Sequence, residues 1–183
     1  MHTAPHAGTP SGQGIQPADC ALFIAPLLDF VEFRLHKILH QAQSIGRTQG
    51  GWNTKLHMVA ASDRDGVIFS LSAGNCSDGP EGRALLRQLG PTDQPVYLLM
   101  DRAYEGDETR ALAEELGYMP VVPPKRNRKN PWDYDKELYK QRNQVERLFR
   151  RMKRFRRIFT RYDKLDIIFL AFIYFALIMD ALM

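Results

Sequence analysis

A run of five apolar residues, from Val96 to Met100, limits the possible folds of this chain more than any other feature. Pro95 precedes the run and Asp101 ends it abruptly. A continuous apolar run of this length predicts a strand that is buried on both faces, because a strand with one solvated face alternates apolar and polar residues. Helices must cover both sides of a sheet that contains such a strand, so we expect an α/β architecture.

Sequence patterns on either side of this run predict the rest of a mixed sheet. The turn Asp63-Arg64-Asp65-Gly66 separates two strand-like segments and predicts a hairpin. The further predicted elements are strands at 54–61, 67–73 and 118–122 and helices at 79–89 and 107–116. Hairpin strands that are followed by alternating strands and helices are typical of an α/β or α+β fold, with a mixed sheet flanked by helices.

Two long helical patterns, at 133–157 and 164–182, occupy the last part of the chain. The second is nearly all apolar and follows a basic stretch, as a transmembrane helix would. However, Asp166 and Asp180 limit its uninterrupted apolar run to about 13 residues, which is shorter than the roughly 17–25 of a membrane span. A buried core helix is therefore expected. A small membrane-anchored basic protein stays open as an alternative, and solubility without detergent would exclude it.

Charge is distributed unevenly along the chain, although the net charge is only +4. Residues 125–164 contain 16 Lys and Arg against 5 Asp and Glu, so this segment carries +11 and the remainder carries −7. Such segregation favours a polyanionic partner, with a solvated helix face as the alternative. The two cysteines, Cys20 and Cys76, lie far apart and suggest neither a disulfide framework nor a zinc site, which is typical of a reducing compartment.

Two acidic residues are candidates for a shared site. Asp101 directly follows the buried strand, at the carboxyl end where ligands of open α/β sheets gather. At helical spacing, Glu146 lies in one arc of about 60° with Tyr139, Arg142 and Lys153, next to an apolar face. The opposite, solvent-facing side is predicted to hold Lys140, Arg147, Arg150, Arg151 and Arg154. Carboxylates held close together repel unless a divalent cation such as Mg²⁺ lies between them. The alternatives are that Asp101 only caps the next turn and that Glu146 only pairs with a neighbouring arginine.

The spacing Tyr139-x2-Arg142-x3-Glu146-x6-Lys153 is similar to the Y-R-E-K signature of bacterial insertion-sequence DDE transposases. The chain also resembles this family in a glycine-rich segment, an aspartate-bearing strand, a basic loop and the segment after Glu146, at 46–57, 100–104, 121–128 and 155–164. The resemblance covers about residues 44 to 183 and concerns the C-terminal part of the family.

This resemblance implies a ribonuclease-H-like fold in which a D-D-E triad holds Mg²⁺ or Mn²⁺. Asp101 would be the second acid and Glu146 the third, each a catalytic residue and a metal ligand. The implied DNA-binding residues are Tyr139, Arg142, Arg147, Arg150, Lys153 and Arg154. The implied partners are terminal inverted repeats and target DNA, with a homodimer and an upstream-frame product as further candidates and no membrane. The expected location is the bacterial cytoplasm, at the nucleoid.

The first acid of the triad is where the chain departs from the family. In the family this aspartate lies on a strand shortly before the glycine-rich segment, and here only Asp19 and Asp29 are candidates for it. Pro26 argues against a central strand around Asp29, because proline cannot donate to a strand ladder. We therefore expect the first strand to be missing, unless residues 23–30 take its place.

These features predict a transposase catalytic domain whose acid triad is incomplete. Residues 1–43 are predicted to form a divergent or disordered N-terminal segment, and residues 44–183 a partial transposase DDE catalytic domain. The domain implies Mg²⁺-dependent phosphodiester cleavage and strand transfer at insertion-sequence ends. Without the first aspartate this activity is expected to be impaired or absent in this chain alone, unless a frameshift fusion supplies the acid. The alternatives are a non-catalytic, DNA-binding transposase remnant and an unrelated Mg²⁺ nuclease of the same fold.

Overall fold

A computed structural model describes residues 21–30 and 43–183 of the chain, and for residues 26–30 it describes the backbone only. Of the predicted N-terminal segment 1–43, residues 1–20, which include Asp19, and residues 31–42 lie outside these ranges. The elements are β1 (Ala21–Phe30), β2 (Gly46–Thr48), β3 (Gly51–Ala60), β4 (Gly66–Ala73), α1 (Asp78–Leu89), β5 (Val96–Met100), a 3₁₀ turn (Arg102–Tyr104), α2 (Asp107–Glu115), β6 (Tyr118–Val121), α3 (Lys136–Lys140), α4 (Asn143–Met152), α5 (Arg156–Phe159) and α6 (Asp166–Ala181).

Strand β1 lies at the centre of a six-stranded mixed sheet. Its residues 23–30 pair antiparallel with β3, and its residues 21–24 pair in parallel with β5. Strand β6 continues the sheet in parallel beyond β5, whereas β2 and β4 both pair with β3 on its other side. The predicted mixed sheet is confirmed, and the segment 23–30 does take the place of the first strand.

The expectation that Pro26 excludes a central strand is wrong, since Pro26 lies in β1 opposite His57 of β3. The carbonyl of Ile24 points to the other neighbour, β5, and accepts a hydrogen bond from the backbone N–H of Asp101 at 3.0 Å. Residues of a strand direct their backbone groups to alternate edges, so the nitrogen of Pro26 also faces the β5 side. The ladder with β5 ends at Ile24, and the missing N–H therefore removes no bond from it.

Two hydrophobic layers cover the sheet, one on each face. Alternate residues of β1 supply both, because Phe23 and Ala25 belong to one layer and Ile24 belongs to the other. The layer around Ile24 includes Leu85 and Leu86 of α1 and Ala113 of α2. The layer around Phe23 and Ala25 receives side chains from α4, α5 and α6, namely Val145, Leu148, Phe149, Met152, Ile158, Phe169, Ile173 and Ala176.

The long helix predicted at 133–157 is wrong in its extent, because α3, α4 and α5 occupy this segment. Between α3 and α4, the N–H groups of Gln141 and Arg142 bond to carbonyls three residues earlier, which tightens the turn. After α4, Phe155 has an extended backbone with φ −80° and ψ 113°. Its ring meets that of Phe175 on α6 edge-on, with centroids 6.4 Å apart. The predicted helix is therefore interrupted a second time at the residue that packs against α6.

The apolar tail forms helix α6, but only one of its faces is buried as expected of a core helix, because Ile167, Tyr174 and Ile178 on the rest of its surface are exposed. Phe169, Ile173 and Ala176 are fully buried against the sheet. Near the end of the helix, buried Asp180 accepts hydrogen bonds from Arg151 of α4, at 2.8 and 2.9 Å. Within the described ranges, every helix is too short or too polar to cross a membrane.

Candidate active site

Asp101 lies at the carboxyl end of β5, as the sequence predicted. Its backbone N–H bonds to Ile24 of β1, and one carboxylate oxygen accepts from the N–H of Ala103 at 3.0 Å. The side chain therefore caps the 3₁₀ turn that follows the strand. The second carboxylate oxygen, Oδ2, faces α4 and lies 3.2 Å from a guanidinium nitrogen of Arg142. Asp101 thus acts as a cap and also belongs to a charged cluster.

Glu146 lies in the first turn of α4 and reaches the same cluster through Arg142. One guanidinium nitrogen of Arg142 is 2.5 Å from Oε1 of Glu146, and the other is the nitrogen that contacts Asp101. The two acids, 45 positions apart in the sequence, are therefore joined by one planar cation. Burial lowers the pKa of Arg142, but Tyr139 and Glu146 outweigh this effect and raise it above its ordinary value. The bridging group is accordingly a permanent cation.

Tyr139 and Lys153 lie at opposite ends of this region. The Tyr139 ring packs edge-on against Tyr134, with centroids 5.6 Å apart, and the guanidinium of Arg142 lies 5.6 Å from the Tyr139 centroid. Burial raises the pKa of Tyr139. Lys153 follows α4 as its C-terminal cap residue, about 10 Å along the helix axis from Glu146. The structure therefore brings Tyr139 to the carboxylate cluster and leaves Lys153 two helical turns away.

Arg147 and Arg150 are exposed on α4, Arg154 is exposed in the turn that follows it, and we refer to these three residues as the basic face. The spacing of three residues places Arg147 and Arg150 on neighbouring helical turns. Arg150 also lies 3.9 Å from the second carboxylate oxygen of Glu146, so the basic face borders the acidic pair. Arg151, which the sequence pattern also assigned to the solvent side, is instead turned inward. It pairs with Asp180 at 2.8 Å and with Asp63 at 3.2 Å.

A buried hydrogen-bond chain lies behind Asp101, and the sequence did not predict it. His57 of β3 is fully buried, with Nδ1 2.7 Å from the hydroxyl of Tyr104 and Nε2 2.7 Å from the hydroxyl of Ser72. Burial lowers the pKa of His57 to about 4 and raises that of Tyr104 well above its ordinary value. Tyr104 closes the turn after Asp101 through its N–H, which bonds to the Asp101 carbonyl at 2.9 Å. A lone histidine in a strand carries no local signal of this role.

Trp132, which follows the basic loop, is partly buried and packs against the hydrophobic layer around Ile24. Its ring lies 3.9 Å from the guanidinium carbon of Arg110 and 4.4 Å from that of Arg128, measured to the ring centroid. The indole N–H donates to the carbonyl of Val122 at 2.8 Å. These contacts hold the loop after β6 against α2, which is a structural role.

The described side chains around Asp101 do not make up the three-acid metal site that the sequence led us to expect. Among the side chains that the structure describes, no group of three His, Cys, Asp or Glu could hold a metal ion. The register of β1 and β5, continued by one residue past Ile24 and Met100, places Ala25 beside Asp101, and alanine has no ligand atom. Asp29 pairs with Thr54 further along β1, about 13 Å of extended strand beyond Ala25. No chemical step through a bound metal follows from this arrangement.

Comparison with known proteins agrees with both the predicted fold and the family resemblance. A family model described as the transposase DDE domain matches residues 27–179. A protein of Brucella ovis, named as a transposase for insertion sequence element IS6501, is 31% identical over 124 residues, which cover 67% of this chain and 93% of the relative. The cryo-EM structure of the piggyBac transposase synaptic complex with hairpin DNA matches with a TM-score of 0.56 at 9% identity. That match covers 88% of this chain and 46% of the piggyBac chain, and it confirms the predicted ribonuclease-H-like fold.

Proposed function

This chain belongs to the transposase DDE-domain family, and from that premise we propose that it binds insertion-sequence DNA but does not transfer strands by itself. The observation that carries the proposal is the cluster of Asp101, Arg142 and Glu146, in which two carboxylates share one guanidinium. Ala25 lies beside Asp101 in register, where the neighbouring strand end would have to supply a third acid. The site thus has two acids of a triad and a protein cation between them.

DNA is proposed to lie along the basic face of α4. Arg147, Arg150 and Arg154 are exposed there, and arginine binds phosphate oxygens with a planar, bidentate fork. Lys153 lies at the end of the same helix and would add a further phosphate contact. Tyr139 and Arg142, at the other end, would contact DNA only near the acidic pair. Terminal inverted repeats and target DNA are the proposed ligands, because these are the substrates that the family resemblance implies.

The family's general chemistry, metal-dependent cleavage and strand transfer, is proposed to require a carboxylate that this chain does not place beside Asp101. An upstream-frame product joined to residues 44–183 is one proposed source, and the division of the chain at residue 43 is part of this proposal. The second candidate function is therefore a complete transposase that is assembled from this domain and a further acidic strand. It is favoured by the close approach of Asp101 and Glu146 to one cation.

Salt-dependent DNA binding tests the first part of the proposal. Fluorescence anisotropy with a terminal-repeat duplex should give an affinity that falls with salt, because each phosphate contact releases counterions. The double variant Arg150→Gln/Arg154→Gln should reduce the slope of log affinity against log salt by about 2. A matched control, Arg64→Gln/Arg87→Gln, removes the same charge from the β3–β4 turn and from α1 and should leave the slope unchanged. Equal slopes for the two double variants would refute the basic face as the DNA contact.

Strand cleavage tests the second part. The purified chain, incubated with end-repeat DNA and either Mg²⁺ or Mn²⁺, should give no more nicked or joined product than the Glu146→Gln variant. The proposal fails if the unaltered chain produces metal-dependent products that Glu146→Gln abolishes. In that case the chain is a working nuclease or transposase, and joining of the ends distinguishes the transposase from a nuclease.

A further inference from the structure

The cation at the acidic pair is supplied by the protein itself. Arg142 contacts Asp101 through one nitrogen and Glu146 through the other, and its side chain is only 20% exposed. Arg150 approaches the remaining oxygen of Glu146 at 3.9 Å but is 70% exposed. A guanidinium in this position contacts both acids with a planar geometry that suits carboxylates, and it offsets one of their two negative charges. A divalent cation would therefore have to compete with Arg142 for the same oxygens.

Strand β1 contains the residue whose replacement would change the competition between Arg142 and a divalent cation for these oxygens. Its carbonyl at Ile24 accepts from the N–H of Asp101, so Ala25 is the β1 residue beside Asp101. Ala25 belongs to the hydrophobic layer that α4 covers, the face on which Glu146 and Arg142 approach Asp101. Neighbouring strands lie about 4.8 Å apart, which is a distance that two carboxylates can span around one small cation.

We infer that Arg142 is the resident counter-charge of Asp101 and Glu146, and that the residue at position 25 decides whether these acids bind a divalent cation. With alanine at position 25, the two acids and Arg142 carry one net negative charge, which gives a divalent ion little advantage over the guanidinium. An aspartate there would add one more charge and two oxygen ligands of the kind that Mg²⁺ and Mn²⁺ prefer. The inference rests on the proposed function in that it explains why the chain alone would not transfer strands.

Manganese binding to the full chain tests this inference directly. Titration with Mn²⁺, followed by the electron paramagnetic resonance signal of the free ion, should show weak binding by the unaltered chain. The Ala25→Asp variant should bind Mn²⁺ about tenfold or more tightly, because affinity follows the charge and number of oxygen ligands. Ala25→Asn matches the new side chain in shape without its charge and should show no such gain. Ala25→Asp/Glu146→Gln should lose it. Equal Mn²⁺ affinity in Ala25→Asp and Ala25→Asn would overturn the inference.

A second variant avoids a substitution in the core, where Ala25 is 3% exposed and a new charge could impair folding. Arg142→Gln removes the guanidinium and should increase Mn²⁺ affinity several-fold over the unaltered chain. Arg150→Gln removes a more distant cation and should have a smaller effect. If the chain binds Mn²⁺ equally with and without Arg142, the guanidinium is not the competing counter-charge. DNA is absent from both experiments, so a failure of DNA binding would refute the proposed function and leave this inference standing.

Discussion

Among single residues, His57 is the one whose proton chemistry the fold alters most. It is fully buried on the central part of the sheet, where Tyr104 and Ser72 each contact one ring nitrogen at 2.7 Å. Burial disfavours the imidazolium and lowers the pKa from 6.5 to about 4. The folded protein therefore holds His57 neutral at a pH at which the unfolded chain already binds a proton. Folding stability becomes linked to pH through this one side chain.

Stability should decrease as the pH falls from about 6.5 to about 4, since only the unfolded state gains a proton at His57 in this window. The contribution is fully present above pH 6.5, and its loss amounts to at most about 3 kcal/mol at 1.36 kcal/mol per pKa unit. Urea denaturation of the unaltered chain and of His57→Gln at several pH values measures it. Carboxylates titrate in both proteins, so the difference between the two curves isolates His57. Parallel curves between pH 6.5 and 4 would contradict this prediction.

Among the elements, helix α1 packs closely against Tyr104, in the turn that follows Asp101. Gly82 is buried against the ring of Tyr104, and a β-carbon built at this position would lie 2.4 Å from Cδ1 of that ring. Tyr104 cannot shift freely, because its hydroxyl contacts His57 and its N–H closes the turn after Asp101. Gly79 lies in the same helix, but there the nearest atom to a new β-carbon is 3.5 Å away, in the flexible side chain of Arg83. The two glycines therefore offer a matched comparison within one helix.

Gly82→Ala should lower the free energy of unfolding by about 1–3 kcal/mol, because the added methyl group forces the Tyr104 ring to move. Gly79→Ala should leave stability unchanged or raise it by up to about 1 kcal/mol, since alanine favours the helix. Chemical denaturation of both variants measures the difference. Similar stability changes in the two would show that the contact with Tyr104 does not limit position 82.

At the scale of the whole molecule, Arg161 connects parts of the chain that lie far apart in sequence. It is fully buried, and one of its nitrogens bonds to Thr54 of β3 at 2.8 Å and another to Asp166 of α6 at 2.6 Å. Asp166 in turn accepts hydrogen bonds from the backbone and side chain of Ser44, at 2.9 and 2.8 Å. The guanidinium also donates to the carbonyls of Asp163 and Lys164. One side chain thus links the sheet, the segment before β2 and the start of α6.

Arg161→Met should lower the free energy of unfolding by about 3–5 kcal/mol, because it leaves buried acceptors and Asp166 without their partner. Arg157→Met provides the control, since Arg157 is 53% exposed and pairs with Asp163 at 3.2 Å. An exposed pair of this kind contributes at most about 1 kcal/mol. Thermal or urea denaturation compares the two variants. A loss of stability at position 161 no larger than at 157 would refute the structural role of Arg161.

Local patterns predicted much of this structure. The apolar run 96–100 and the segments 107–116 and 118–122 form the expected strand, helix and strand within one or two residues. Asp101 follows its strand, and Glu146 contacts the same arginine as Asp101. Such features are visible in the sequence because burial on both faces, helical periodicity and motif spacing depend on residues that are close together in the chain. The roles of these residues in chemistry stay predictions.

Other features depend on partners that are distant in sequence. Pro26 is tolerated in a central strand because the ladder with β5 ends at Ile24, two residues before it. Arg151 turns inward because Asp180 and Asp63 meet it there. The helical pattern at 133–157 is interrupted where Phe155 packs against α6. None of these contacts leaves a periodic or compositional trace, so the sequence predicted a continuous helix with Arg151 on its solvent face.

The sequence by itself determined the family and the mixed sheet, because a motif and the alternation of apolar residues are properties of neighbouring positions. Only the tertiary structure decided which side chain lies between Asp101 and Glu146 and which residue of β1 lies beside Asp101. Arg142 reaches both carboxylates, and Ala25 lies beside Asp101, because the sheet register and the placement of α4 bring the three segments together. Strand register and helix docking are set by the packing of the whole core, to which every element contributes.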